Sequence, residues 1–177
     1  MIRPILTATE PTLRQKSKAV KKIDKKILSL IADMIETLEA QDDPEGIGLA
    51  APQIGKNLKI FLMKPKDKIK VIINPQLIKV TKKLTKEKST SRKKIMEGCL
   101  SLPHFYGPIK RAKLVKLKYL NVKNEEVVES FEGLLAQIVL HEIDHLEGVL
   151  FVDHLLKQKK PLYEHIDGEF EEVDLIV

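Results

Sequence analysis

His141, Glu142 and His145 stand in the stretch HEIDHLEG. On a helix, residues four apart lie one above the other on one face, so both imidazoles can converge on one cation. Glu142 is rotated about 100° from His141. It can lean toward a water at that cation without competing as a ligand. The pattern also arises by accident, and its surroundings decide. Leu134, Leu135, Ile138, Leu140 and Leu146 form an apolar run between Gly133 and Gly148. The run reads as a helix of about four turns that stops on a glycine. A helix this apolar belongs in a core, where two histidines, Glu142 and Asp144 would be costly without partners. That favours a metal site.

A hydrolytic metal centre usually takes three protein ligands and keeps one position open. Downstream, a metalloprotease of the H-E-x-x-H-x-x-G-x-x-H type would need a histidine where this chain has Phe151. His154 lies three residues too far and reads as a surface histidine. Glu164, Glu169, Glu171 and Glu172 belong to an acidic tail, and such tails are usually solvated. Upstream, EGCLSLP holds the only cysteine, Cys99, before an expected turn at Pro103. A lone cysteine is more often an inert core residue. As a ligand it would complete a Cys-His-His set suited to Fe(II), Zn or Ni, deprotonated when bound. A third segment, GIGLAAPQIG, spaces Gly46 and Gly48 for close backbone approach and offers the neutral amide of Gln53 as a donor. It is not a dinucleotide fingerprint, because Ala51 takes the place of the third glycine.

The elements that must position these residues are legible in outline. Residues 24–41 carry Ile27, Leu30, Ile31, Met34 and Leu38, an amphipathic helical stripe. LKIFLM (58–63) and IKVIINPQLIKV (69–80) read as strands, with a turn at Asn74-Pro75. Residues 81–94 are charged and aperiodic, as in a loop or hairpin tip. AKLVKLKYLNVKNEEVVESFEG alternates on both sides of Lys123-Asn124 and reads as a hairpin. Residues 155–177 show no clear pattern. The fold class is α+β, with mixed or antiparallel sheets packed around a central helix that carries HEIDH. The 177 residues suit one domain.

Net charge is +6. The basic clusters at 16–26 and 82–94 read first as a solvated, lysine-rich surface, with transient attraction to a polyanion such as the ribosome as the alternative. With few aromatics and no recognition motif, sequence-specific nucleic-acid binding is not expected. One cysteine excludes an internal disulfide framework. No long apolar run and no signal-like N-terminus appear, so the expected location is the cytoplasm and no membrane partner is expected.

Taken together, GIGLAAPQ (46–53), EGCLS (97–101) and HEIDH (141–145) resemble the signature motifs of the peptide deformylases. Those motifs are G-φ-G-φ-A-A-x-Q, E-G-C-φ-S and H-E-x-D-H, in that order, with φ apolar. The resemblance runs from IRPIL near the start to LFVDHL after the helix. It implies removal of the formyl group from N-formylmethionine of nascent peptides, with release of formate. It implies one divalent ion held by Cys99, His141 and His145, with Fe(II) expected and Zn(II), Ni(II) or Co(II) as substitutes. Glu142 would carry the proton. Gln53 and the backbone N–H of Leu100 would stabilise the oxyanion. Ile47, Gly48, Gly98 and Leu134 would bind the peptide. A pairing of Glu97 with Arg111 would brace the cysteine segment, and Asp144 would support the helix or a ligand from behind. Two positions depart from the family pattern. Leu140 replaces the usual glutamine before the histidine motif. Gln137 stands where relatives often have an apolar residue lining the methionine pocket. The competing readings are a zinc endopeptidase using the same helix and a non-catalytic metal-binding or ribosome-associated module.

Overall fold

The structure is a computed structural model and describes residues 1–42, 45–81 and 96–174. The charged stretch at 81–94 therefore lies, beyond Thr81, outside the described residues. In chain order the main elements are α1 (Lys25–Glu39), β1 (Gly48–Ala50), β2 (Ile60–Met63), β3 (Lys70–Val80), β4 (Glu97–Cys99) and β5 (Leu102–Gly107). They continue with β6 (Leu114–Leu120), β7 (Glu126–Glu132), α2 (Leu134–Glu147), α3 (Phe151–Gln158), β8 (Leu162–Ile166) and β9 (Glu169–Val173). Five strands form one sheet in the order β1-β2-β3-β6-β7, and four form a second in the order β4-β5-β8-β9. Every strand pairing in both sheets is antiparallel, so the fold is α+β and its sheets are antiparallel rather than mixed.

The larger sheet is covered on both faces. Along β2, Phe61 and Met63 join the core beneath α2, with Val115, Leu117, Phe131 and Val139. Ile60 and Leu62 point the other way, into the core beneath α1 with Met34 and Leu38. Side chains alternate across a strand, which is why IFLM is apolar without interruption. Asp24 caps α1 by accepting from the backbone N–H groups of Lys26 and Ile27, each at 3.0 Å. The hairpin expected around Lys123-Asn124 is present as β6–β7, with Asn124 at φ +62° in the turn.

Three expectations need correcting. Asn74-Pro75 is not a turn. β3 runs through it, and the pairing with β6 shifts register between Ile73 and Gln76. Proline in a strand is tolerated at such a bulge. Asn74, at φ +51°, is held by two hydrogen bonds to the backbone of Val20, each 2.8 Å. Pro103 is likewise not a turn residue: it lies within β5, and the turn is at Leu100-Ser101. Cys99 accordingly ends a strand instead of lying in an irregular segment. Up to residue 174 the unpatterned tail forms the end of α3 and the β8–β9 hairpin, whose β8 pairs with β5.

α2 packs against β1, β2 and β7. It ends where the sequence places its glycine: Gly148 has φ +75°, and a Cβ there would meet the backbone of Arg14. Any side chain would be strained and would push the N-terminal segment away from the helix that carries the two histidines.

Candidate metal centre and active site

Cys99, His141 and His145 converge although the cysteine is 46 residues from His145. Their ligand atoms all lie within 4.8 Å of one another, and all three residues are buried. Sγ of Cys99 is 3.2 Å from Nε2 of His145. The two imidazoles stand edge to face, 4.9 Å apart at 79°. Nδ1 of His141 meets Oε1 of Glu97 at 2.7 Å, which leaves Nε2 available to a cation.

Electrostatics favour positive charge at this point. Burial alone would push the Cys99 thiol up, but the neighbouring His145 and His141 outweigh it and hold the thiol well below its usual range. Burial would lower His141, yet Cys99 and Glu97 raise it well above an ordinary histidine. A thiol that gives up its proton this readily, beside a histidine that holds one only through its anionic neighbours, suits a divalent cation in the proton's place. A soft thiolate with two imidazoles is a donor set for Fe(II), Zn or Ni. The residues present therefore fit a metal.

Glu142 lies beside this cluster on α2. Its Oε2 is buried without a partner among the described residues. Burial pushes its carboxyl up to about 7, with the two histidines opposing. A Cβ on Gly48 would collide with the Glu142 carboxyl group. The glycine in GIG is thus required by a residue almost a hundred positions later.

Gln53 sits in a short 3₁₀ turn, Ala51–Ile54, directly after β1. Its Oε1 accepts from the backbone N–H of Ala50 at 2.8 Å. That contact turns Nε2 toward the site, where it donates to Oγ of Ser101 at 3.2 Å and Sγ of Cys99 at 3.6 Å.

Behind the cluster runs a buried charged network. Arg111 grips Glu97 with two hydrogen bonds, at 2.9 and 2.6 Å, and Asp144 with a third at 2.6 Å. Arg111 and Glu97 are each only 5% exposed. Burial works against the Glu97 carboxylate, but Arg111 and His141 hold it well below the usual carboxylate range. Burial works against Arg111 too, and Glu97 with Asp144 raises it further above its already high value. The expected Glu97–Arg111 pair is therefore present, and Asp144 acts through Arg111 rather than on a ligand histidine. His154 is not simply a surface residue: its Nε2 is 2.8 Å from Asp144, which braces α3 against α2. The histidine is ten residues from Asp144 across a helix break, so no local periodicity announces it.

A cavity of about 200 Å³ opens over this centre. Ile47, Gly48, Gln53, Gly98, Cys99, Leu100, Leu134, His141 and Glu142 all line it. Of the ten residues given ligand, catalytic or peptide-binding roles above, only His145 is absent from the wall, being 1% exposed beneath it. The cavity lies between β1 and β4, each the edge strand of its sheet. The ring of Tyr106 lies over Gly98, so that a Cβ on Gly98 would meet it at 2.6 Å. Sequence reasoning missed Tyr106, whose place depends on the pairing of β4 with β5. No downstream acidic residue joins the cluster among the described residues, which removes support from the endopeptidase reading.

Comparison with known proteins agrees with this geometry. The family model described as polypeptide deformylase matches residues 2–161. The peptide deformylase of Pseudothermotoga lettingae is 45% identical over 153 residues, covering 86% of this chain and 82% of that protein. Peptide deformylase 1 of Clostridium acetobutylicum is 41% identical over 158 residues, covering 89% and 97%. Among solved structures, the peptide deformylase of Thermotoga maritima superposes with a TM-score of 0.77 at 35% identity, covering 87% of this chain and 97% of that one. The chain therefore belongs to the polypeptide deformylase family, hydrolases that remove the formyl group from nascent peptides.

Proposed function

We propose that the cavity over Cys99, His141 and His145 is where this deformylase works, and that the three residues hold Fe(II), with Zn(II), Ni(II) or Co(II) as substitutes in preparations. The observation that carries the reading is the convergence of three buried ligand atoms beside a carboxylate oxygen that has no partner among the described residues. Once bound, the ion supplies Lewis acidity, which brings a water within reach of deprotonation near neutral pH and polarises a carbonyl oxygen.

The chain's own residues do the rest. Glu142 takes a proton from the attacking water at Oε2 and returns one to the leaving amine. Gln53, its amide oriented through Ala50, donates from Nε2 to the formyl oxygen as negative charge develops there. The backbone N–H of Leu100, at the turn after β4, is the second donor. Peptide substrates lie between β1 and β4 and hydrogen-bond to the edges at Ile47, Gly48 and Gly98, while Leu134 closes the rim. Backbone pairing tolerates any side chain that follows the first residue. Glu97 holds the His141 ring in place, and Arg111 keeps Glu97 ionised.

The whole chain acts as one domain in the cytoplasm, with its basic surface in transient contact with the ribosome. No helix among the described residues is long and apolar enough to cross a membrane. The test is formate release from a formyl-Met tripeptide by anaerobically prepared protein loaded with Fe(II) or Ni(II). Glu142→Gln should keep its metal and lose turnover. Cys99→Ala should lose both. Metal retention by Cys99→Ala would refute the ligand set.

A further inference from the structure

Gln137 is a neutral amide on the cavity wall to which the reaction gives no task. It lies one helical turn before His141 and shares the wall with Met96, Leu134 and Ile138. Only 7% of its surface is exposed. Nε2 donates to Oε2 of Glu97 at 3.2 Å. Both oxygens of Glu97 already accept from Arg111, at 2.9 and 2.6 Å, so this carboxyl group presents acceptors to its neighbours. The nitrogen end of the amide must therefore face Glu97, and the orientation of the side chain is decided. Among the described residues, Glu97 is the only hydrogen-bond partner of the Gln137 side chain. Its Oε1 and second N–H are left to whatever fills the cavity. A hydrocarbon laid against them would strip their water and return no hydrogen bond. A side chain with a polar atom at the same depth would not incur that loss.

We infer that Gln137 is a specificity-determining residue: its fixed amide biases the cavity toward first side chains that carry a hydrogen-bonding atom over hydrocarbons of equal length. Methionine, with a weakly accepting thioether, is favoured over norleucine. Glutamine, close to methionine in size, is admitted where an apolar cavity would reject it. The inference rests on the reading that this cavity takes the first side chain of the substrate.

The test uses Ni(II)-loaded protein and three tripeptides, formyl-Xaa-Ala-Ser, with Xaa methionine, norleucine or glutamine. The parent is compared with Gln137→Met, which conserves volume, and with Gln137→Leu. The glutamine-to-norleucine ratio of kcat/KM should fall about tenfold in both variants, the worth of one net hydrogen bond. The methionine-to-norleucine ratio should fall about twofold or more. If instead kcat drops by one factor for all three peptides and the ratios hold, Gln137 only braces Glu97 and the inference is overturned. A second measurement needs neither turnover nor a variant: calorimetric binding of Gln-Ala-Ser and Nle-Ala-Ser to the parent. Affinities within about threefold support the inference. Norleucine bound more than about tenfold tighter, as side-chain transfer alone favours, refutes it. Absence of formate release from every peptide would count against the activity, while the binding ratio would still decide the role of Gln137.

Discussion

Removing Arg111 should be among the most damaging single changes outside the ligand set. Its guanidinium makes two hydrogen bonds to Glu97 and one to Asp144 at the edge of the metal cluster. Replacing it by methionine fills similar volume and deletes the charge. Glu97, 5% exposed, would then be a buried carboxylate supported, among the described residues, only by His141 and Gln137. Breaking a buried pair from one side costs about 3–5 kcal/mol, and for a chain of this size that lowers Tm by about 6–20 °C. Glu97 would also lose its hold on His141, and losing such outer support costs about 10–100-fold in metal affinity.

The sign of the pH dependence follows. In the parent, the Glu97 carboxyl is held below its unfolded value, so its stabilisation is complete above the ordinary carboxylate range and is lost only as pH falls toward the depressed value. In Arg111→Met, burial without the guanidinium raises the same carboxyl, so the variant is relieved as pH falls. The stability gap between the two should therefore narrow on acidification from neutral pH. Denaturant unfolding of the apo proteins at pH 7 and pH 5, with metal titration alongside, measures both effects. Glu97→Gln combined with Arg111→Met should cost less than the sum of the singles, by about 2 kcal/mol, because the double variant buries no unpaired charge. Strict additivity, or an Arg111→Met variant within about 1 kcal/mol of the parent, would refute the reasoning.

Gly48→Ala should place a methyl group against the Glu142 carboxyl; kcat should fall about a hundredfold while metal content, read by elemental analysis, stays whole. Gln53→Leu should lower kcat by about 10²–10³-fold, the cost of one oxyanion donor, in the formate-release assay. On the proposed ligand set, in which the ion binds the folded chain through Cys99, His141 and His145, a chelator should lower Tm; at an ion concentration a hundred times Kd the difference is about 2.7 kcal/mol, measurable by calorimetry with and without metal. His154→Ala should loosen α3 from α2 by removing the Asp144 contact, at a cost of about 1 kcal/mol seen in denaturant unfolding.

Much of the centre is local and therefore legible in the chain. HEIDH puts two imidazoles on one face of a helix through helical pitch alone, and Gly148 ends that helix because a left-handed stop needs no Cβ. The amphipathic stripe of α1 and the alternation of β6 and β7 follow from periodicity in the same way. The proposed third ligand does not. Position alone does not separate Cys99 from an inert core cysteine; the motif pattern pointed to it, and the pairing of β4 against β5 beside α2 brings its sulfur to His145. The same is true of the Glu97–Arg111–Asp144–His154 network, of Tyr106 over Gly98, and of the glutamate that forbids a side chain at Gly48. Asn74-Pro75 reads as a turn because its local chemistry is that of a turn, yet pairing on both sides of β3 and the grip of Asn74 on Val20 carry the strand through. Sequence pattern determines what neighbours within about one turn or one strand will do. Contacts across forty or a hundred residues depend on how sheets and helices stack, and only the tertiary structure decided those.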